Sequence, residues 1–251
     1  MATARKTRPQ GSTAVVMPKR RAAPVKSAPK ARAVAEASIT LSSKNYSSWS
    51  LRGWLIAKLA GLDFDEVMVS PDDANARKEI LLLSPSILVP CLTHGGIKVW
   101  DTLAIGEYLD EVKPNAGLLP TDIAARAHCR AICGEMHSGF SSLRAALPMN
   151  LKGDFPGYKV WAKAEGDIER ITTIWRNCIS TYGGPFLFGN KPCIADAMYA
   201  PVVLRFRTYE VDLPADGRAY AESILALSPL REWMSAAVAE TETLAQFEPY
   251  G

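Results

Sequence analysis

Two short polar stretches stand directly before segments with helical periodicity, where hydrogen-bond donors can stabilise a negative charge. Stretch 45–48 holds an asparagine, a tyrosine and two serines, and Asp101-Thr102 precedes a second helical segment. The N-terminus of a helix offers free N–H groups and the positive end of the helix dipole, so it favours an anion. The same residue types also cap helices. Each stretch can therefore bind an anion and cap its helix at the same time.

A third group of reactive side chains, Cys129, Cys133 and His137, recurs every four residues and shares one face of a predicted helix. Three such side chains could ligate a metal, but the apolar neighbourhood favours a buried packing stripe. The five cysteines are widely spread and include no CxxC pair. We therefore expect no metal site, no dithiol redox centre and no disulfide framework.

The charge of the chain is divided unevenly. Residues 1–37 hold nine Lys or Arg and one Glu, a balance of +8, whereas the remainder holds 20 basic and 25 acidic side chains, a balance of −5. The tail 1–37 has four prolines and no aromatic residue, a composition that buries too little apolar surface to fold. We predict a disordered basic tail that is passive, contacts nucleic acid or another anionic surface, or acts in targeting.

No apolar run approaches the about 18–20 residues of a membrane span. The tail also lacks the continuous apolar centre of a secretory signal. We therefore expect a cytoplasmic protein without a membrane segment, whose acidic body does not bind nucleic acid.

Periodicity divides the body into two halves, an α/β unit at 38–115 and an all-helical bundle at 121–250. The predicted elements of the first half are a strand at 39–44, a helix at 49–60, a strand at 67–69, a helix at 72–83, a hairpin of strands at 91–92 and 97–100, and a helix ending at 112. Those of the second half are helices at 124–146, 157–181, 194–210 and 229–239.

Three segments resemble motifs of the cytosolic glutathione transferases. Residues 84–90 resemble the family's Asn-Pro-x-x-x-Val-Pro segment, 100–105 its Glu-Ser-x-Ala-Ile segment, and 186–197 its Phe-Leu-x-Gly and Ile-Ala-Asp elements. Residues 46–52 and 135–140 further resemble a bacterial branch of the superfamily. The resemblance covers about 38–250 and implies a thioredoxin-like domain followed by an all-α domain.

The resemblance also implies where glutathione binds. The γ-glutamyl carboxylate is expected at the helix start of Asp101 and Thr102, with the Asp101 carboxylate on the ammonium group. Val89 and Pro90 are expected to be joined by a cis bond, which lets the N–H and C=O of Val89 pair with the extended peptide.

The residue that activates the thiol is left open among three candidates. Counting back from Arg52, the family's usual Ser or Cys position falls on Asn45, which departs from the pattern. We favour Ser47, followed by Asn45 and Ser48, because a loop of different length would bring a serine into place. The absence of a cysteine at 45–48 argues against mixed-disulfide chemistry.

The second substrate is expected to lie against the helical half. His137, Phe140 and Arg144 occupy adjoining helical positions that could face the cleft. Arg205 and Arg207 could bind an acidic substrate, but their position near a helix end favours an interaction with the helix dipole.

The predicted function is transfer of the glutathione thiolate to a small, electrophilic, partly apolar substrate. Glutathione is then a co-substrate, no metal is needed, and the resemblance implies a homodimer. Glutathione-dependent isomerisation and peroxide reduction are enzymatic alternatives, although the isomerase branch's Ser-Ser-Cys-Ser-Trp-Arg run is missing. The alternative that is not an enzyme is a non-catalytic module that binds glutathione or a partner.

Overall fold

The computed structural model describes residues 1–2, 35, 37–70, 86 and 88–248. Almost all of the predicted tail and the predicted helix at 72–83 lie outside these residues. The elements in chain order are β1 (Ala37–Leu41), α1 (Ser48–Leu59), β2 (Phe64–Met68), β3 (Cys91–His94), β4 (Ile97–Trp100), α2 (Thr102–Val112), α3 (Ile123–Ser138), α4 (Ser141–Ala146), α5 (Ala162–Tyr182), α6 (Ile194–Thr208), α7 (Ala215–Leu225) and α8 (Ser228–Ala239).

The strands form one mixed sheet in the order β2-β1-β3-β4. β1 runs parallel to β2 and antiparallel to β3, and β3 pairs with β4 as a hairpin. The hairpin turns at Gly95 and Gly96, whose positive φ values of 55° and 83° suit residues without a Cβ. The predicted parallel start and antiparallel hairpin are confirmed, and with α1 and α2 they make a thioredoxin-like unit.

Helix α1 joins the sheet to the helical half. Leu51, Trp54 and Leu55 are fully buried, which gives the helix its apolar face. The Trp54 ring lies 6.4 Å from the Phe64 ring of β2 and 5.2 Å from the Trp233 ring of α8. Packing on both sides therefore fixes the position of the N-terminus of α1.

The helical half differs from its prediction in three places. The helix predicted at 124–146 divides into α3 and α4 at Gly139-Phe140, because Phe140 adopts a left-handed conformation with φ of 59°. Helix α7 was not predicted at all, since its short sequence contains a glycine and follows Pro214. In addition, α5 begins at Ala162 rather than at 157.

Helix α6 is buried along nearly its whole length. Its first turn is held by Asp196, which accepts hydrogen bonds from the Leu187 and Cys193 N–H groups at 3.1 and 2.8 Å and from the Tyr220 hydroxyl at 3.1 Å. Burial raises the pKa of Asp196, and these donors compensate part of that cost. In the described part of the chain no helix is long and apolar enough to cross a membrane.

The cysteine stripe of α3 packs in the core, as predicted. Cys129 and Cys133 are buried and form no disulfide. Within the described residues, no group of three potential ligands is arranged to hold a metal ion. His137 is not part of this packed stripe, because its side chain contacts the carboxylate of Asp101.

Candidate active site

A pocket of about 410 Å³ lies at the N-terminus of α1, where the α/β half meets the helical half. The described residues between 35 and 248 belong to one compact unit, and lining residues come from both of its halves. The lining comes from residues 42–43 and 46–49, Arg144, residues 148–149, Arg205, Leu244 and Phe247. The pocket therefore brings polar groups of a helix start together with cationic and apolar side chains of the second half.

Ser47 is the N-cap of α1. Its Oγ accepts a hydrogen bond from the Ser50 N–H at 3.2 Å and donates one to the Ser50 Oγ at 2.9 Å. The hydroxyl proton of Ser47 is thus used within the cap, although the residue also lines the pocket. The capping role that we weighed for this position is observed.

Ser48 lies between two guanidinium groups. Its Oγ accepts hydrogen bonds from Arg52 Nη1 and Arg205 Nη2, each at 3.4 Å. A hydroxyl that accepts twice still has its own proton to donate. Ser48 is buried but lines the pocket, so that proton is available to an acceptor bound there.

The structure does not bring Asn45 into the pocket lining. Its side chain is fully buried and is used entirely by the loop that follows α4. Its Oδ1 accepts hydrogen bonds from the N–H groups of Leu151 and Lys152 at 2.7 and 3.0 Å, and its Nδ2 donates to Asn150 Oδ1 at 3.1 Å. Asn45 therefore ties the two halves together, and its position favours a structural role over thiol activation.

Val89 and Pro90 are joined by a cis bond, as expected from the resemblance. Pro90 packs directly on α1 at Gly53, where an added Cβ would lie only 2.5 Å from the proline Cγ. The glycine therefore allows α1 to approach the loop that precedes β3.

Asp101 and Thr102 begin α2. Asp101 caps the helix, with its Oδ1 accepting from the Leu103 N–H at 2.8 Å, and it holds a positive φ of 76°. The Thr102 hydroxyl is buried and has no hydrogen-bond partner among the described residues. Capping is thus observed, and the free hydroxyl leaves a donor at this helix start.

His137 lies beside Asp101 and Trp49. Its Nε2 is 3.1 Å from Asp101 Oδ2, and its ring packs edge-on to Trp49 with centroids 5.0 Å apart. The buried Nδ1 has no hydrogen-bond partner in the described part of the chain. We grouped His137 with the second substrate, whereas the structure connects it to the Asp101 end of the site.

Of the other two side chains assigned to the second substrate, only Arg144 lines the pocket. Arg144 donates to the backbone oxygens of Gly139 and Met136, the first at 3.1 Å, and these bonds hold its guanidinium at the wall. Phe140 is buried in the core at the break between α3 and α4 and is not among the lining residues.

Arg205 is the site residue whose role the sequence led us to misjudge. It lies three residues before the end of α6, but its side chain reaches Ser48 and the pocket rather than the helix terminus. Burial, followed by the charge of Arg144, lowers the pKa of Arg205 to about 9. The sequence signal that could have revealed this role is an arginine that stands among apolar residues of a helix.

Family models match most of the body of this chain. The glutathione S-transferase N-terminal domain matches residues 46–112, and the C-terminal domain matches residues 126–236. Curated relatives include the maleylacetoacetate isomerase of Rattus norvegicus, 28% identical with 66% of this chain and 76% of the relative covered. A probable maleylacetoacetate isomerase of Caenorhabditis elegans is also 28% identical, with 66% of this chain and 77% of the relative covered.

Solved structures share the fold. A glutathione transferase homologue from Burkholderia with bound glutathione has a TM-score of 0.60 at 24% identity, covering 80% of this chain and 97% of that one. A bacterial zeta-class maleyl pyruvate isomerase has a TM-score of 0.64 at 22% identity, covering 82% of this chain and all of the other. These structures share the fold, and the two family models, which together match more than half of the chain, show that the chain belongs to the cytosolic glutathione transferase superfamily.

Proposed function

We propose that this protein is an enzyme that binds glutathione and uses its thiolate to attack an electrophilic carbon of a small, partly apolar substrate. The observation that carries the proposal is the pocket itself. It places two serine hydroxyls and a helix N-terminus opposite the helical half, beside apolar lining from Met149, Leu244 and Phe247. A nucleophile and an electrophile could therefore meet there.

We place glutathione between the start of α2 and the N-terminus of α1, two sites that His137 connects through its contacts with Asp101 and Trp49. The start of α2 receives the γ-glutamyl carboxylate, where the Thr102 hydroxyl is free to donate. The Asp101 carboxylate accepts from the ammonium group. Val89 pairs with the peptide through its backbone, and the sulfur reaches the N-terminus of α1.

Ser48 is better placed than Ser47 to hold the thiolate. The proton of Ser47 is directed to Ser50, whereas Ser48 accepts from two cations and keeps its proton for a ligand. A hydrogen bond to a charged group contributes about 1.5–3 kcal/mol, which lowers a thiol pKa by about one to two. The thiol proton then leaves to solvent, and the sulfur lone pair attacks the electrophile.

Two outcomes of that attack are chemically distinct. In transfer, the new C–S bond remains, and either a leaving group departs with the bonding electrons or the resulting enolate takes up a proton. In isomerisation, the adduct rotates about the former double bond and then expels glutathione unchanged. The similarity to maleylacetoacetate isomerases favours isomerisation as the second candidate.

The test is to incubate the protein with glutathione and three electrophiles, namely a halogenated nitroarene, a trans enone and a cis enone. Transfer consumes glutathione and gives an adduct of the combined mass, whereas isomerisation converts the cis enone without consuming glutathione. The Ser48→Ala variant should lose either activity, and Ser47→Ala, whose hydroxyl proton is directed to Ser50, serves as the matched control. Calorimetric binding of glutathione without turnover of any electrophile would instead indicate a non-catalytic binding protein.

A homodimer is part of the proposal, as the resemblance implies. Sedimentation of the full chain at several concentrations would test it, and a monomer at all concentrations would contradict it.

A further inference from the structure

One wall of the pocket is made by the segment that follows α8. Residues 240–248 contact the loop that precedes α1, and we call this segment the strap. Leu244 is only 2% exposed and Phe247 is half-buried, and both side chains line the pocket. A second substrate in the pocket would therefore lie against the strap.

The first end of the strap is fixed by several hydrogen bonds. The Glu240 carboxylate accepts from the Ser43 hydroxyl at 2.7 Å and from the Asn45 N–H at 3.0 Å. The Lys152 ammonium group donates to the backbone oxygens of Glu240 and Glu242 at 2.9 and 3.2 Å. Because Glu240 also follows directly on α8, this end is attached both to a helix and to two loops.

The second end is held by one carboxylate. Glu248 Oε1 accepts hydrogen bonds from the Tyr46 hydroxyl at 2.6 Å and from Asn150 Nδ2 at 3.0 Å. The Tyr46 ring stacks on the Phe247 ring, with centroids 5.5 Å apart. Burial, followed by the hydrogen bond to Glu248, raises the pKa of Tyr46, so the hydroxyl keeps its proton and donates at neutral pH. We call the contact between Tyr46 and Glu248 the latch.

A single short turn lies between the two ends of the strap. The N–H of Phe247 donates to the carbonyl of Leu244 at 2.9 Å, and the N–H of Glu248 donates to that of Ala245 at 3.2 Å. A turn of this length is not stable on its own in water. Its N–H groups therefore exchange with solvent when the strap leaves the pocket, which makes opening measurable.

The strap is also connected to the residues that bind the sulfur. The Ser43 hydroxyl that donates to Glu240 accepts a hydrogen bond from the Tyr46 N–H at 3.1 Å. Tyr46 thus contacts both ends of the strap, the first through Ser43 and the second through the latch. It stands two positions before Ser48, so the wall of the pocket and the reactive end share one hydrogen-bonded loop.

We propose that the strap is a lid on the pocket, which turns about Glu240 when the latch opens, admits the second substrate and releases the product. In the closed state, Leu244 and Phe247 cover an apolar group attached to the glutathione sulfur. The inference rests on the proposed function for the position of that sulfur. It adds that exit from the pocket is controlled by the hydroxyl of Tyr46 and the carboxylate of Glu248.

Two S-alkyl derivatives of glutathione test the lid without turnover, because their sulfur is already alkylated. S-methylglutathione adds little beyond the sulfur, whereas the chain of S-hexylglutathione extends under Leu244 and Phe247. Hydrogen exchange of the full-length protein, measured by mass spectrometry, reports the opening of residues 240–248. We expect S-hexylglutathione to slow exchange in the strap severalfold relative to S-methylglutathione when each is saturating.

The variant Tyr46→Phe tests the latch, since it removes the hydroxyl and keeps the ring against Phe247. Exchange of the strap in the ligand-free protein should become about tenfold faster, as the loss of a hydrogen bond to a charged group implies. Dissociation of S-hexylglutathione, followed by stopped-flow tryptophan fluorescence, should accelerate by a similar factor. Glu248→Gln retains an oxygen that can accept from Tyr46, so its effect on both rates should be smaller.

The matched control is Tyr182→Phe. The Tyr182 hydroxyl lies 2.8 Å from His128 Nδ1, and neither residue lines the pocket. This variant loses a tyrosine hydroxyl in the same way, but its strap exchange and its dissociation rate should equal those of the wild type. Circular dichroism shows whether each variant is folded.

Three results would overturn the lid. They are wild-type rates of exchange and dissociation in Tyr46→Phe, strap exchange that S-hexylglutathione does not slow, and faster exchange in Tyr46→Phe with an unchanged dissociation rate. The last result would describe a loosened wall that does not control exit. If neither derivative binds, the proposed function fails, and strap exchange in ligand-free Tyr46→Phe decides whether the latch exists. Turnover of an electrophile together with any of the three results would leave the proposed function standing without the lid.

Discussion

Replacing Arg205 by methionine should stabilise the protein, although the change removes a residue of the pocket. Burial lowers the pKa of Arg205 to about 9, from a usual value above about 12. Each pKa unit corresponds to about 1.4 kcal/mol, so holding the charge in the folded protein costs on the order of 4 kcal/mol. Methionine keeps much of the length and removes the charge together with two unpartnered nitrogens.

The loss of the Arg205–Ser48 hydrogen bond opposes this gain only weakly, because that bond is long at 3.4 Å. We therefore expect Arg205→Met to raise the free energy of unfolding by about 1–4 kcal/mol, as replacements of buried charges do. Urea denaturation monitored by circular dichroism measures this change, provided that the m-value stays constant. The control is Arg207→Met at an exposed position, whose free energy of unfolding should stay within about 0.5 kcal/mol of the wild type. A free energy of unfolding that falls by 1 kcal/mol or more in Arg205→Met, but not in Arg207→Met, would show that the charge is already compensated.

Three other substitutions test the framework of the site. Asn45→Ala should lower the free energy of unfolding by about 2–4 kcal/mol in urea, since it removes three hydrogen bonds of a fully buried side chain and leaves the Leu151 N–H without its acceptor; wild-type stability would contradict its bridging role. His137→Phe keeps a ring against Trp49 but removes the contact to Asp101, so calorimetry should show glutathione affinity about two- to fivefold weaker, and unchanged affinity would separate His137 from that end of the site. Gly53→Ala should cost about 1–3 kcal/mol in the same denaturation assay through its collision with the loop before β3, whereas Gly134→Ala, where the added Cβ meets open space, should be neutral or stabilising.

Local sequence patterns were sufficient for most of the described elements of the α/β half, although β2 begins at Phe64 rather than at 67. Alternating apolar residues, the glycine pair at 95–96 and the polar residues before α1 and α2 each specify a local structure, and these elements are found. Helix α7 is not predicted from the sequence, because its helical periodicity is short and is interrupted by Gly217. The break at Gly139-Phe140 was hidden because a left-handed aromatic residue carries no local sequence signal.

The roles of Asn45 and Arg205 depend on contacts that are distant in sequence. Asn45 bonds to residues 150–152, more than one hundred positions away, and Arg205 reaches Ser48 across 157 positions. Helix position alone favoured an interaction of Arg205 with the dipole. Only the packing of α6 against α1 shows that its guanidinium enters the pocket.

The most direct test of the account is the ultraviolet absorbance of the glutathione thiolate bound to the wild type, Ser47→Ala and Ser48→Ala at neutral pH. We predict a thiolate signal that saturates with glutathione in the wild type and in Ser47→Ala, and that is lost in Ser48→Ala while glutathione still binds by calorimetry. A wild type that binds glutathione without forming thiolate, or a signal that survives in Ser48→Ala, would contradict it.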